Sequence, residues 1–548
     1  MGFLEERDLS NASTIPEYFK GKTIFITGGS GFIGKVLIEK LLYSCTDLDR
    51  IYLLLREKKG VKSEDRLDQM YSLPCFDRLR KEKPDIFSQK VFVISGDVAE
   101  PGLGLSDEDR TLLVNRVNVV FHVAASVRFD DPLKFAANLN LNGTKEIMDL
   151  AKDIRDLSSL VHVSTSYSNT NHDPIEEVMY PPHADWRDTL QVCRETDEHT
   201  LKMLTPKYLG ELPNTYTFTK QLAEHVVYEL RGQIPAVIIR PSIVIASIEE
   251  PVPGWVENFN GPVGIFVACG KGIMHSIHTK PDVVSDYIPV DTCVKHIIAA
   301  AWIRGIKELE KSDDIPIYNC CAGQLQGIVM EDLVDLAQRV SCDVPLNGAL
   351  WTTSVHVTTN ATLYYLEVLF LHLLPAIFVD MVLWMLGRKT MLVKVQRRIY
   401  IANLALRYYI TQQWTFDNKN FVTLRSSLKN EDLNHFYYEV EKINLESYFK
   451  MCCLSGRKYL LKEKDEDIPS AKAHMKSCGN VFGRQCHVMC VFFCFFFVFF
   501  CHCHFLFFLC FCLFCVCLSF CHFVFFCFFL SLCFCLFCLF FFIHFGDN

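Results

Sequence analysis

Short stretches that open on runs rich in Val, Ile, Leu and Phe recur through the first half of the chain, at residues 23–26, 50–59 (ending in a basic cluster), 91–98, 117–124, 160–167 (ending in hydroxyl residues) and 237–240. Continuous runs of this length predict strands buried on both faces of a parallel sheet. Behind the first run, Val36, Leu37, Leu41 and Leu42 fall at helical spacing, and residues 138–144 open another helix. Strand alternating with helix predicts an α/β fold with a doubly wound parallel sheet. The pattern changes after residue 350. Between 361 and 387 apolar residues cover nearly the whole helical circumference, interrupted by Glu367, His372, Pro375 and Asp380. This stretch predicts buried core helices, with a membrane-dipping hairpin as the alternative. Lys389, Lys394, Arg397 and Arg398 follow it and would suit an anionic lipid surface. Residues 414–450 alternate aromatics with charges, the pattern of a small helical domain.

The last segment has a different composition. From 490 to 545 the chain carries no charged residue and is built almost wholly from Phe, Cys, Leu, Val, His and Ser. It is long enough for two membrane spans of about 20 residues each. It lacks the basic flanks, interfacial Trp or Tyr and small packing residues of such spans. Phe and Cys in this excess are what a T-rich tract encodes, so the segment reads as translated non-coding sequence, with a membrane anchor as the alternative. Fourteen of the 25 cysteines lie between Cys486 and Cys538. The others have no metal-ligand spacing, and neither does the alternation Cys501, His502, Cys503, His504, so no metal site is expected. The body of the chain reads as reduced and cytosol-facing. Residues 1–20 are too polar for a secretory signal. A net charge of −8 gives no footprint for nucleic acid.

The chemistry begins where the first strand ends. Thr27, Gly28, Ser30, Gly31, Phe32, Ile33 and Gly34 form a T-G-x-x-G-x-x-G turn between a strand and a helix. Here Gly28 would permit the tight turn, Gly31 the approach of a pyrophosphate, and Gly34 the packing of helix on strand. The helix N-terminus would add unpaired N–H groups. Arg56, backed by Lys58 and Lys59, stands where an acidic residue would otherwise hold a ribose 2′-hydroxyl. That favours a 2′-phosphate and hence NADPH, with Glu57 as the dissenting neighbour. Asp97 and Val98 end the third strand, where the adenine edge is expected. Ala124 and Ala125 are small enough for the cofactor backbone to pass, and Pro241 and Ser242 would turn the chain over the nicotinamide.

Tyr216 and Lys220 are four apart, hence one turn apart on one helical face. A tyrosine with an ordinary pKa near 10 is a poor acid–base catalyst at neutral pH. A lysine ammonium one turn away would lower that value, and could also bond the nicotinamide ribose. A hydroxyl from Thr165 or Ser166 would hold a substrate oxygen beside Tyr216. Tyr208 has no lysine at i+4 and is a poor rival.

The turn at 27–34, the strand end Ser164, Thr165, Ser166, Tyr167 and the Tyr216/Lys220 pair resemble the extended short-chain dehydrogenase/reductases. Within that group the 27–42 turn and helix, residues 51–56, 240–244, 250–264 and 286–291 make the chain similar to the animal, notably insect, fatty acyl-CoA reductases, over roughly residues 15–475. The resemblance implies a Rossmann-type NADPH-binding domain with substrate-binding insertions over 15–345. A helical C-terminal domain over 356–465 and the apolar tail over 478–548 would follow. It implies reduction of a long-chain acyl-CoA to a primary alcohol with two NADPH, by a membrane-associated, cytosol-facing protein of the endoplasmic reticulum or peroxisome. Family members more often have Ala at position 166, which makes Thr165 the better catalytic hydroxyl. The irregular 250–264 stretch is expected to be a substrate-side lid, and the 361–387 stretch could also wall an acyl tunnel. A steroid or sterol dehydrogenase and a catalytically silent NADPH-binding scaffold are the competing readings.

Overall fold

The computed structural model describes residues 12–477 apart from 260, 308–313, 324 and 352, so the tail at 478–548 lies outside the described residues. The apolar runs form β1 (Thr23–Thr27), β2 (Arg50–Leu55), β3 (Val91–Ser95), β4 (Val119–His122), β5 (Ser159–Val163) and β6 (Ala236–Pro241). A seventh strand, Ile317–Cys320, which pattern reading did not single out, lies at the edge. The spatial order is Ile317–Cys320, β6, β5, β4, β1, β2, β3, with every pairing parallel. The chain winds outward from β1 to β3, then returns to β4 on the other side of β1. The strand order therefore reverses between β1 and β4, and their C-terminal ends frame a crevice.

Each run is apolar throughout because both faces of the sheet are covered. Ile24 and Ile26 point into one layer with Leu37, Leu41 and Val294, from helices Phe32–Ser44 and Val290–Gly305. Phe25 points into the other, with Ile147 and Leu222 from helices Gly143–Asp153 and Thr215–Tyr228. A fully buried side chain of this kind contributes roughly 1.5–3 kcal/mol.

The described residues up to Met475 form one compact unit. Phe421, Leu424, Phe436 and Tyr438 enter the same core layer as helix Val290–Gly305. Polar ties run beside them. The Glu177 carboxylate accepts the N–H groups of Asn319 (2.9 Å) and Phe421 (3.3 Å), and Asp432 accepts that of Ile15 at 3.0 Å. The aromatic residues of the 414–450 stretch thus cover a sheet flank that would otherwise face water.

The structure corrects two expectations. The 250–264 stretch is a pinned strap, because Trp255 and Val256 are buried and Gly254 packs on Met451 and Ser455. Glu250 accepts from Lys40 (2.7 Å), Lys295 (3.2 Å) and Arg78 (2.9 Å), and Lys35 reaches Glu257 at 2.5 Å. The Ala361–Met385 run is no core helix either: Phe370, Phe378, Trp384 and Met385 are 49–72 % exposed.

Candidate active site

The nucleotide crevice follows from the glycines. Gly28 has φ +74°, and a Cβ there would lie 2.5 Å from the Ala124 nitrogen, while one at Gly34 would overlap the Gly28 carbonyl oxygen. Only glycine lets β1, the loop after β4 and the first helix meet this closely. Helix Phe32–Ser44 begins at Gly31 with no side-chain cap, which leaves its first N–H groups for an anion. The crevice has a volume of about 240 Å³ and is lined by Gly28, Ser30, Gly31, Arg56, Asp97, Val98, Ala124 and Ala125 among others.

The other expected contacts stand behind this wall. Thr27 is fully buried and bonds His122 Nδ1 at 2.7 Å. Phe32 and Ile33 pack against the core. Pro241 ends β6, and the Ser242 N–H donates to Cys320 O at 3.1 Å. Asp97 holds Arg56 at 2.7 Å with one carboxylate oxygen and the Ala99 N–H at 3.1 Å with the other, so its polar edge is spent on the protein. Among the charged lining residues, Lys58 stands beside Arg56 as its sequence position suggests, whereas Arg66 had escaped sequence reasoning. From helix Ser63–Tyr71, Arg66 donates to the Arg56 carbonyl and reaches Ser30 Oγ at 3.4 Å. Ten residues separate it from Arg56, and no motif spacing marks it.

The second half of the site is helix Thr215–Tyr228. Asn214 caps it, accepting the Thr217 N–H at 3.0 Å and donating to Tyr409 Oη at 2.7 Å. Asn140 docks the helix, donating to Thr219 Oγ1 at 3.0 Å while accepting the Ser126 N–H at 2.8 Å from the loop after β4. Tyr216 is partly buried. Burial pushes its phenol up to about 12, and a hydrogen bond with the Thr165 side chain pulls the other way. Thr165 is thus at the tyrosine. Ser166 is not, because its hydroxyl is fully buried and donates to Arg240 O at 2.6 Å.

Lys220 departs from the simple helical picture. Its ammonium drops between helix and sheet, donates to Val163 O at 2.6 Å and lies 3.4 Å from His162 Nε2. Burial pulls it down to about 8, with the Glu224 carboxylate opposing. His162 and His122 are kept neutral by burial, so neither screens nor stabilises a charge on Tyr216. The i, i+4 spacing brings the two residues to one helix face. The strong carbonyl acceptor at the end of β5 then claims the lysine in this state. Below it, Arg240 and Glu224 form a fully buried ion pair at 2.7 Å.

A family profile described as "Male sterility protein" matches residues 26–297, and a second of the same description matches 371–463. Fatty acyl-CoA reductase 1 of Xenopus laevis is 38 % identical over 472 residues, covering 85 % of this chain and 90 % of the relative. The chain belongs to the fatty acyl-CoA reductases. The human fatty acyl-CoA reductase 1 is 37 % identical over 472 residues, at the same coverage, and the Drosophila melanogaster reductase wat is 34 % identical over 464, covering 85 % of this chain and 89 % of its own. Among solved structures, the terminal R domain of the myxalamid pathway has a TM-score of 0.54 at 18 % identity, covering 80 % of this chain and 90 % of its own. The reductase domain of a Mycobacterium tuberculosis peptide synthetase has 0.53 at 16 %, covering 82 % and 95 %. These neighbours share the fold. In this fatty acyl-CoA reductase the crevice, with its glycine cradle and basic rim, fits an NADP-type dinucleotide.

Proposed function

We propose that the chain reduces a long-chain fatty acyl-CoA to a primary fatty alcohol through an aldehyde, consuming two NADPH and releasing CoA at a lipid surface. The observation that carries this reading is the bond between Thr165, just after β5, and Tyr216, on a helix docked against the loop that borders the nucleotide crevice. Bound NADPH would supply the hydride at each step. Gly28, Ser30, Gly31 and the open helix N-terminus would hold its pyrophosphate, and Arg56, Lys58 and Arg66 its 2′-phosphate.

Tyr216 and Thr165 hold the thioester carbonyl oxygen as negative charge builds on it. The oxyanion collapses with loss of CoA thiolate, which leaves an aldehyde on the same hydroxyls. In the second reduction Tyr216 gives its proton to the alkoxide. Lys220, released from the Val163 carbonyl, restores that proton and lowers the tyrosine pKa. Phe129 and Tyr409, whose rings lie 5.0 Å apart with Phe129 5.9 Å from Tyr216, supply an apolar wall for the acyl chain. On this reading 15–345 forms the NADPH-binding part, and 356–465 supplies the acyl side and the lipid contact.

Palmitoyl-CoA and NADPH incubated with the purified chain should yield hexadecanol. Tyr216→Phe should lower turnover by about 10²- to 10⁴-fold, the range for losing a general acid. Absence of alcohol, or a Tyr216→Phe enzyme close to wild type, would overturn the reading.

A further inference from the structure

The Ala361–Met385 run turns its ionisable groups toward the protein body. The Glu367 carboxylate takes Ser276 Oγ at 2.6 Å and His356 Nδ1 at 2.8 Å. His372 Nε2 accepts the His275 N–H at 2.8 Å. Asp380 accepts the N–H groups of Met391, Leu392 and Val393 at 2.9–3.1 Å and so starts the next helix, Leu392–Ile410. The opposite side carries Leu363, Leu366, Phe370, Ile377, Met381 and Trp384 at three-, four- and seven-residue spacing, each 40–72 % exposed. A continuous apolar stripe of this kind marks an interaction surface. Arg388, Lys389, Lys394 and Arg398 are exposed immediately after it.

Length and composition alone would let this run cross a bilayer. Its hydrogen bonds argue otherwise. Glu367 and His372 are held by the strand pair Ser276–His278 and His356–Thr358 and its neighbours, so the run cannot enter hydrocarbon without stripping them of partners. One face fixed to the body, one face apolar and a basic border are the features of a helix lying in a membrane interface.

We propose that Ala361–Met385 and the basic turn after it form an in-plane docking surface for an anionic phospholipid membrane. Helix Leu392–Ile410 runs from that surface to Tyr409, which touches Asn214 and Phe129 beside Tyr216. An acyl chain taken from the membrane would therefore reach the site along one rigid element. This last step rests on the acyl-CoA reductase reading, whereas the docking does not.

Trp384, 72 % exposed, is the built-in probe. The full chain is mixed with vesicles of phosphatidylcholine and phosphatidylserine brominated either near the glycerol end or near the terminal methyl of the acyl chains. Shallow bromine should quench a fluorescence component that Trp384→Phe removes. Phe370→Glu with Ile377→Glu should abolish that quenching and cut alcohol formation from vesicle-borne palmitoyl-CoA at least tenfold. Turnover of detergent-dispersed palmitoyl-CoA should persist. Replacing Arg388, Lys389 and Lys394 by Gln should weaken binding by about fivefold per residue. A vesicle-bound chain whose Trp384 is not quenched would overturn the proposal, since another segment would then be the anchor. Stronger quenching by the deep bromine would overturn it in favour of a spanning helix, and shielding of Trp384 by self-association would overturn it in favour of a second copy. Quenching as expected, with no alcohol from the detergent-dispersed substrate, would retain the docking and reject the acyl-CoA reading.

Discussion

Arg66 should matter more for NADPH than Arg56, although Arg56 holds the position that sequence patterns assign to the 2′-phosphate. Arg56 already has a carboxylate partner, Asp97 at 2.7 Å, and is half exposed. An exposed ion pair of this kind is worth about 0–1 kcal/mol, and its cation has little charge left to offer. Arg66 is half-buried and contacts only the Arg56 carbonyl and Ser30 Oγ, with no ion pair among the described residues. A phosphate in the crevice would gain from it a charge-assisted hydrogen bond worth roughly 1.5–3 kcal/mol. Arg66→Ala should therefore raise the Kd for NADPH by about 10- to 150-fold. Arg56→Ala should raise it by about fivefold at most. Neither should change the Kd for NADH, which lacks the 2′-phosphate. Asp97→Ala in the Arg66→Ala background should restore part of the loss by freeing Arg56. Titration of protein fluorescence with each nucleotide at fixed ionic strength reads all of these values. An equal loss for NADPH and NADH in Arg66→Ala would refute the reasoning, because Arg66 would then be shaping the loop rather than binding phosphate. A larger effect from Arg56→Ala would refute it as well.

Three further outcomes are expected. Lys220 titrates near 8 because it is buried, against an ordinary 10.5. If its ammonium sustains Tyr216, turnover should fall as pH rises through about 8. The stability contribution runs the opposite way, since between these two values the unfolded chain holds the extra proton and stability from this group rises with pH. A turnover profile flat to pH 9.5 would exclude a charged Lys220 from the rate-determining step. Glu224→Ala would strand Arg240, which is wholly buried, and should cost roughly 3–5 kcal/mol; denaturation in urea within 1 kcal/mol of wild type would count against the pair as a stabilising element. Tyr409→Phe leaves the Asn214 amide short of its 2.7 Å partner and should cost about 1 kcal/mol. It should also lower kcat more than it raises KM, and a pure KM effect in steady-state assays would restrict Tyr409 to the acyl wall.

The local chemistry of this protein was written in contiguous residues. Strand runs, the glycine turn and the Tyr216/Lys220 spacing depend on neighbours within a few positions, where backbone sterics and helical periodicity set the outcome. The strand, turn and helix at 23–44 and the helix at 215–228 could therefore be read directly. The tertiary structure decided whatever depends on which surfaces meet. It brought Arg66 to Ser30 from a separate helix, placed Ser166 against a backbone carbonyl, and turned Lys220 to Val163 O, an acceptor 57 residues away in the chain. It turned the expected lid into a strap through charges at positions 35, 40, 78 and 295. It also left Ala361–Met385, a helix long and apolar enough to cross a membrane, largely exposed. Hydrophobicity states that a side chain gains by leaving water, but not whether protein or lipid receives it. The hydrogen bonds of Glu367, His372 and Asp380 decide only which face of the helix turns to the protein body.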